Sequence, residues 1–145
     1  MKIVGDLPSR TLEVPLMLSD APCRPTIAVS DMDRAKKFYG DTLGLKLLDE
    51  GPGSARFECG EHSVLDIYPS QFAGTAKNTV AGWQVNDLNA AMVELRARGV
   101  RFEEYDLPGL KTDEGIAASD GGRSAWFKDP DGNTFALAEE PPPEG

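Results

Sequence analysis

The chain has 145 residues, a formal net charge of −9 and two cysteines. This length suits one domain with a core of its own. The acidic balance argues against a nucleic-acid partner, because binding to phosphates needs clustered Lys and Arg. Cys23 and Cys59 are too few for a disulfide framework, so we interpret both as reduced, buried thiols. With neither a signal peptide nor a membrane-spanning run in the pattern, we expect a cytoplasmic protein without a membrane partner.

The first half of the chain predicts one strand, one helix and three further strands. Residues 1–24 carry scattered apolar residues and prolines, and we assign them to an N-terminal arm. A helix over 31–43 is predicted because Asp31 suits its N-cap and Gly44 its end. Short β-prone runs between turn residues predict the strands. These strands are expected at 25–29, 45–49, 55–59 and 63–68.

The second half gives the same order again. Val85-Asn86-Asp87 repeats Val29-Ser30-Asp31, and a helix is predicted over 87–98 before Gly99. The expected strands lie at 79–85, 100–105, 124–127 and 134–138, with a long Gly-rich loop at 106–123. A supersecondary unit that occurs twice is stronger evidence for the fold than any single local feature of the sequence.

This repeat predicts an α+β fold built from two tandem βαβββ modules. We place module one at 25–70 and module two at 78–139, within a single domain spanning 25–139. Residues 140–145, rich in proline, are expected to form a flexible tail.

Two motifs carry a resemblance to a known family. The segment from Pro25 to Asp31, continued by Phe38-Tyr39 and Leu43-Gly44, resembles the opening of a module in the vicinal oxygen chelate superfamily. Ala125-Trp126-Phe127-Lys128-Asp129-Pro130-Asp131-Gly132-Asn133-Thr134 is similar to its closing motif, and we interpret Asp129–Asn133 there as a structural turn. The superfamily includes glyoxalase I, extradiol dioxygenases, bleomycin-resistance proteins and fosfomycin-resistance enzymes. The resemblance implies a curved mixed sheet around a cleft, helices on the outside and a homodimer.

The metal ligands of that superfamily do not carry over to this chain. Metal-dependent members place His on the first strand of each module and a carboxylate on the last, and those positions fall at Arg24, Val80, Asp66 and Ala136. Only Asp66 offers a donor, since a guanidinium has no free lone pair. The sole histidine, His62, lies at a predicted hairpin turn. We therefore expect no metal and no cofactor.

Period-two alternation of the strands assigns the residues of the cleft wall. Apolar positions should pack under the helices, and the opposite face should be partly polar, as small-molecule sites are. Trp126, Tyr68, Phe57 and Phe127 are candidates for stacking on a ligand, with core packing as the alternative for each. Trp126 ranks first because it lies beside the long loop. The predicted ligand-binding residues are Arg24, Thr26, Asp66, Tyr68, Gln84 and Trp126.

Arg24 and Asp66 leave two interpretations open. The guanidinium can take the charge role of a metal and hold a carboxylate, phosphate or enolate oxygen of a ligand. Alternatively, Arg24 lies at the rim of the cleft or pairs with Asp66 for structural reasons.

Three functions are compatible with these residues. The first is a metal-free protein of the bleomycin-resistance type that sequesters a small molecule in a cleft between the two modules. The second is a lyase, isomerase or dioxygenase-like enzyme in which Asp66 is a general base and Arg24 polarises the substrate. The third, a module that binds another protein or senses a ligand, has no motif in its favour.

Overall fold

The structure is a computed structural model that describes residues 17–141. The predicted arm is therefore described only from Met17 onward, and the predicted tail only as far as Pro141. The rest of both segments lies outside the described residues. No helix of the described chain is long and apolar enough to cross a membrane.

Module one forms a four-stranded sheet in the order β1-β4-β3-β2, with β1 parallel to β4 and the other pairs antiparallel. Helix α1 begins after Asp31, whose Oδ1 accepts a hydrogen bond from the Arg34 N–H at 3.0 Å, as the sequence predicts. A five-residue π-helical segment continues α1. The elements are a 3-10 turn at Leu18–Asp20, β1 Thr26–Val29, α1 Met32–Lys37, the π-helix Phe38–Thr42, β2 Lys46–Gly51, β3 Ser54–Cys59 and β4 Ser63–Pro69.

Module two repeats this arrangement with the order β5-β10-β9-β8 and a parallel β5–β10 pair. Asp87 caps its helix, accepting from the Ala90 N–H at 3.0 Å. The elements are β5 Thr79–Gln84, α2 Leu88–Ala97, β6 Asp106–Leu107, β7 Leu110–Lys111, β8 Ala117–Ser119, β9 Gly122–Lys128 and β10 Thr134–Glu139. The predicted α+β class and the two modules are thus confirmed.

The strand predicted at 100–105 is wrong. Phe102 forms only an isolated bridge to Phe127, and the chain then leaves the edge of β9. It forms the β6–β7 hairpin and returns as β8, so the predicted loop at 106–123 contains three short strands. The Glu104 carboxylate stabilises this excursion, because its Oε1 accepts from the Thr112 hydroxyl at 2.6 Å and from the Gly115 N–H at 3.0 Å.

One apolar core joins the two modules. It contains the buried residues of both sheets and both helices, and Tyr39 of module one packs edge-to-face on Phe135 of module two, with ring centroids 6.0 Å apart. Tyr39 also contacts the ring of Phe57, which lies on β3 of the same module. Since each sheet turns its helix-covered face toward this core, the other face of each sheet points away from it.

The turn after β9 fastens module two to module one. Gly132 has a φ of +94° and donates its N–H to the Asp129 carbonyl, which confirms the predicted turn.

The side chains of this turn also form hydrogen bonds with module one. Asp131 accepts from the Ser30 N–H at 3.0 Å, and the Asn133 amide donates to the Ala28 carbonyl at 2.8 Å. The Tyr39 hydroxyl donates to Asp129 at 2.7 Å, and burial together with this carboxylate raises the pKa of Tyr39.

A charged pair supports the start of α2. Glu139 accepts from the Leu88 N–H at 2.8 Å and from the Arg123 guanidinium at 2.9 Å. Both hydrogen bonds favour the carboxylate, that of Arg123 more strongly, and hold the pKa of Glu139 below its ordinary value. A lowered pKa in the folded state stabilises the fold above the ordinary pKa of about 4.3, and the stabilisation is lost as the pH falls through the lower folded pKa.

We therefore expect Glu139→Gln to lower the thermal unfolding midpoint near pH 7. The difference from the wild type should shrink as the pH falls below about 4.3, because the wild-type carboxylate then becomes neutral as well. Thermal unfolding followed by circular dichroism between pH 3 and 7, about the range of this titration, measures it. Glu140→Gln, which changes the exposed neighbour, is the control and should leave the midpoint unchanged. A difference independent of pH would contradict the charge argument.

Candidate functional site

We call the sheet surface opposite the helix of each module its open face. In module one, Thr26 and Asp66 are partners in the parallel β1–β4 pair, and Arg56 lies opposite Asp66 on β3. Buried neighbours such as Ile27, Ile67 and Phe57 alternate with them. Alternation thus places three of the predicted residues, Thr26, Asp66 and Tyr68, on one surface with Arg24 just before β1.

An ion cluster occupies the middle of this open face. Asp66 Oδ2 accepts from Arg24 Nε at 3.2 Å, and Asp66 Oδ1 accepts from Arg56 Nε at 2.9 Å. The Asp66 side chain is 15% exposed, whereas those of Arg24 and Arg56 are 42% and 40% exposed. The Arg24–Asp66 pair of the second, structural interpretation is therefore present, and Asp66 lies beneath two guanidinium groups.

Arg56 was missed by sequence reasoning. Its signal was nevertheless available, because Ala55 and Phe57 on either side are apolar and buried. On a strand, such neighbours place the residue between them on the opposite face. Further acidic and basic residues flank the cluster in the strand register, with Asp49 paired to Arg56 and Lys46 paired to Glu58.

The open face of module two carries small, uncharged residues beside one tryptophan. Gly82 pairs with Ala136, and Ala136 pairs with Trp126, so two small residues adjoin one large ring. A Cβ atom at Gly82 would lie 3.1 Å from the Ala136 carbonyl oxygen, which is a close approach of the two strands. Gln84 follows on the same strand and is exposed.

Trp126 also lines a cavity under the β6–β7 hairpin. The Tyr105 ring packs edge-to-face on Trp126, with centroids 5.6 Å apart. The cavity measures about 200 Å³, and its walls all belong to module two. They include Leu110 and Lys111 of the hairpin, Ala118 and Ser119 of β8, and Ser124 beside Trp126.

The predicted site residues therefore fall into two groups. Arg24, Thr26, Asp66 and Tyr68 lie together on module one, whereas Gln84 and Trp126 lie on module two. Within residues 17–141, no hydrogen bond, ion pair or ring contact joins the two groups.

Burial decides two further predictions about side chains. Phe57 and Phe127 are each 1% exposed and belong to the core, which is the alternative of core packing, so they are not stacking candidates. The reason is the strand parity, which turns both toward the helices. Cys59 is buried as expected, but Cys23 is exposed because it precedes β1.

The residues at the metal positions of the resembled family do not fit a metal. The registers Thr26–Asp66 and Gly82–Ala136 confirm that the two modules correspond at these strands. Val80 and Ala136 carry no donor atoms, and His62 lies on an exposed turn with a φ of +66°. In the described part of the chain, no three His, Cys, Asp or Glu side chains are grouped to hold a metal ion.

The chain is similar to several proteins of known structure. TnmS3, an antibiotic-binding protein from Streptomyces sp. CB03234, is 25% identical with a TM-score of 0.63, over 81% of this chain and 93% of its own. A glyoxalase/bleomycin resistance protein from the same strain is 26% identical with a TM-score of 0.60, over 79% of this chain and 96% of its own. A bleomycin resistance determinant encoded on the transposon Tn5 shares the fold at 19% identity, with a TM-score of 0.64 over 82% and 97%.

No curated protein sequence matches the chain. The sequence model of one family, however, matches residues 23–137, which include the ion cluster, all of module one and all but the last two residues of module two. The chain belongs to the Glyoxalase/Bleomycin resistance protein/Dioxygenase superfamily.

Proposed function

We propose that this protein binds a small molecule on its open faces without a metal or another cofactor. The observation that carries the proposal is the Arg24–Asp66–Arg56 cluster, since Arg24 and Asp66 stand at two of the four positions where metal-dependent relatives would carry a ligand and Arg56 lies beside Asp66 on β3. A guanidinium binds oxygen atoms of a ligand through charge-assisted hydrogen bonds instead of coordination. The likeness to an antibiotic-binding protein supports a binding role.

The engagement of Asp66 favours binding over catalysis. Each of its oxygens accepts a hydrogen bond from a different guanidinium. A general base needs an oxygen within hydrogen-bond reach of the proton that it removes, and both oxygens of Asp66 are held by arginine instead. The alternative of a lyase, isomerase or dioxygenase-like enzyme, which needs Asp66 as a general base, is therefore the weaker one.

The site is completed, in this proposal, by a homodimer. The two open faces of one chain point away from the shared core, so they do not close on each other. A second copy related by two-fold symmetry can place its module-two face against the module-one face of the first. A ligand between them would contact Arg24, Thr26, Asp66 and Tyr68 of one protomer and the partner copy's equivalents of Gln84 and Trp126.

The test is a binding screen with chelator-treated protein. We expect native mass spectrometry to find at least one member of a panel of microbial antibiotics that includes bleomycin bound once per protomer and recovered unchanged. Arg24→Ala should weaken this binding at least about tenfold without lowering the thermal midpoint. Arg101→Ala, which removes an exposed arginine elsewhere, is the matched control. Binding of no panel member, chemical conversion of the ligand or a need for added metal would contradict the proposal.

A further inference from the structure

We infer that the ligand of the module-one open face is an aryl carboxylate, and that Arg56 acts with Arg24 to select it. This inference rests on the proposed function and adds the chemical class of the ligand. It is carried by the unused donors of the ion cluster and by the aromatic ring beside it.

The cluster carries one positive charge in excess. Two guanidinium groups share the single carboxylate of Asp66, and each approaches it through Nε. The terminal Nη atoms of Arg24 and Arg56 donate no hydrogen bond within the described residues, and both side chains are about two-fifths exposed. Asp66 thus orients both guanidinium groups through their Nε atoms, and their Nη–H donors stay available for a ligand.

This arrangement suits a monoanion with two oxygen atoms. Arginine binds carboxylates through paired N–H donors in a planar fork, which gives geometric specificity as well as affinity. A ligand carboxylate bridging the two forks would neutralise the excess charge. The acidic neighbours do not take this place, since neither Asp49 nor Glu58 forms an ion pair with either arginine in residues 17–141.

The aromatic part of the ligand is inferred from Tyr68. Tyr68 follows Asp66 by two residues on β4, so the two lie on the same face about 7 Å apart. The Tyr68 side chain is one of the exposed large apolar groups, at 37%. Its strand partner is Ala28, which is too small to cover the ring. An aromatic ring attached to the bound carboxylate can therefore stack on Tyr68.

The experiment compares 1-naphthoate with the neutral, nearly isosteric 1-naphthamide by isothermal titration calorimetry on the full chain. We expect the acid to bind at least about tenfold more tightly than the amide, because charged acceptors form the stronger hydrogen bonds. Arg56→Lys keeps the charge but removes the fork, and it should abolish most of this preference. Arg101→Lys, at an exposed site outside the open face, should preserve it. Thermal midpoints establish that each variant is folded.

Tyr68→Leu separates the two parts of the inference. It should weaken both probes to a similar extent, since both carry the same ring system. Equal affinity for acid and amide, or a preference that survives Arg56→Lys, would overturn the inference while leaving the proposed function intact. Failure of both probes to bind at millimolar concentration would also overturn it. The proposed function fails separately, when the metal-free antibiotic screen finds no ligand.

Discussion

Asp129→Ala is expected to lower the free energy of unfolding by about 4 kcal/mol, since it removes a buried charged acceptor and leaves its donors without partners. Asp129 is 5% exposed. Its carboxylate accepts from the Tyr39 hydroxyl at 2.7 Å, from the Asn133 N–H and amide at 2.9 Å each, and from the Asp131 N–H at 3.0 Å. The substitution therefore loosens the turn and its attachment to module one together.

Urea unfolding followed by tryptophan fluorescence measures this loss. Asp120→Ala, at an exposed turn position, is the matched control and should change the free energy by less than about 0.5 kcal/mol. Tyr39→Phe completes a double-mutant cycle, in which we expect a coupling energy of about 1–3 kcal/mol with Asp129. If Asp129→Ala lowers the free energy of unfolding by less than about 1 kcal/mol, the turn does not hold the two modules together.

The same turn shows where sequence reasoning stops. Pro130 and Gly132 predict a turn from local chemistry alone, and the backbone confirms it. The contacts of Asp129 with Tyr39 and of Asn133 with Ala28 join residues 90 and 105 positions apart. Local patterns carry no information about such distant partners, so the role of the side chains became apparent only in the folded chain.

The secondary structure also includes elements that local signals predict and elements that depend on distant contacts. Capping aspartates and glycine stops predicted both helices, and the structure has α1 and α2 where they were expected. Of the strand predicted at 100–105, only the Phe102–Phe127 bridge lies along β9, and Glu104 makes its side-chain contacts within the excursion instead. A short apolar pattern does not reveal such a competing contact.

The candidate site was half predictable. Counting along the repeated modules identified Arg24 and Asp66, which the structure pairs, whereas Arg56 was overlooked although the same alternation marks it. The distribution of the predicted residues over two open faces had no local signal, because it depends on how the helix-covered faces share one core.

The second large change in stability is expected at Gly74, in the linker of residues 71–77 between the two modules. Gly74 has a φ of +72°, and its N–H donates to Asn133 Oδ1 at 3.2 Å. A Cβ atom there would overlap the backbone carbonyl of Asp131. We expect Gly74→Ala to lower the free energy of unfolding by about 3 kcal/mol, for two reasons. An alanine is strained in the left-handed conformation. Its Cβ would also clash with a main-chain carbonyl, which cannot move aside as a flexible side chain can.

A second glycine separates the clash from the strain. Gly109 in the β6–β7 hairpin has a φ of +81°, but a Cβ atom there would meet nothing within 4 Å. Gly109→Ala should therefore cost only the backbone strain, about 1 kcal/mol. Urea unfolding of both variants gives the comparison, and the difference between them measures how closely the linker packs on the turn of module two. Equal losses would mean that the linker moves away from Asp131 without cost, and that the modules are held together by their shared core and by the contacts of the turn at Asp129–Asn133 with module one.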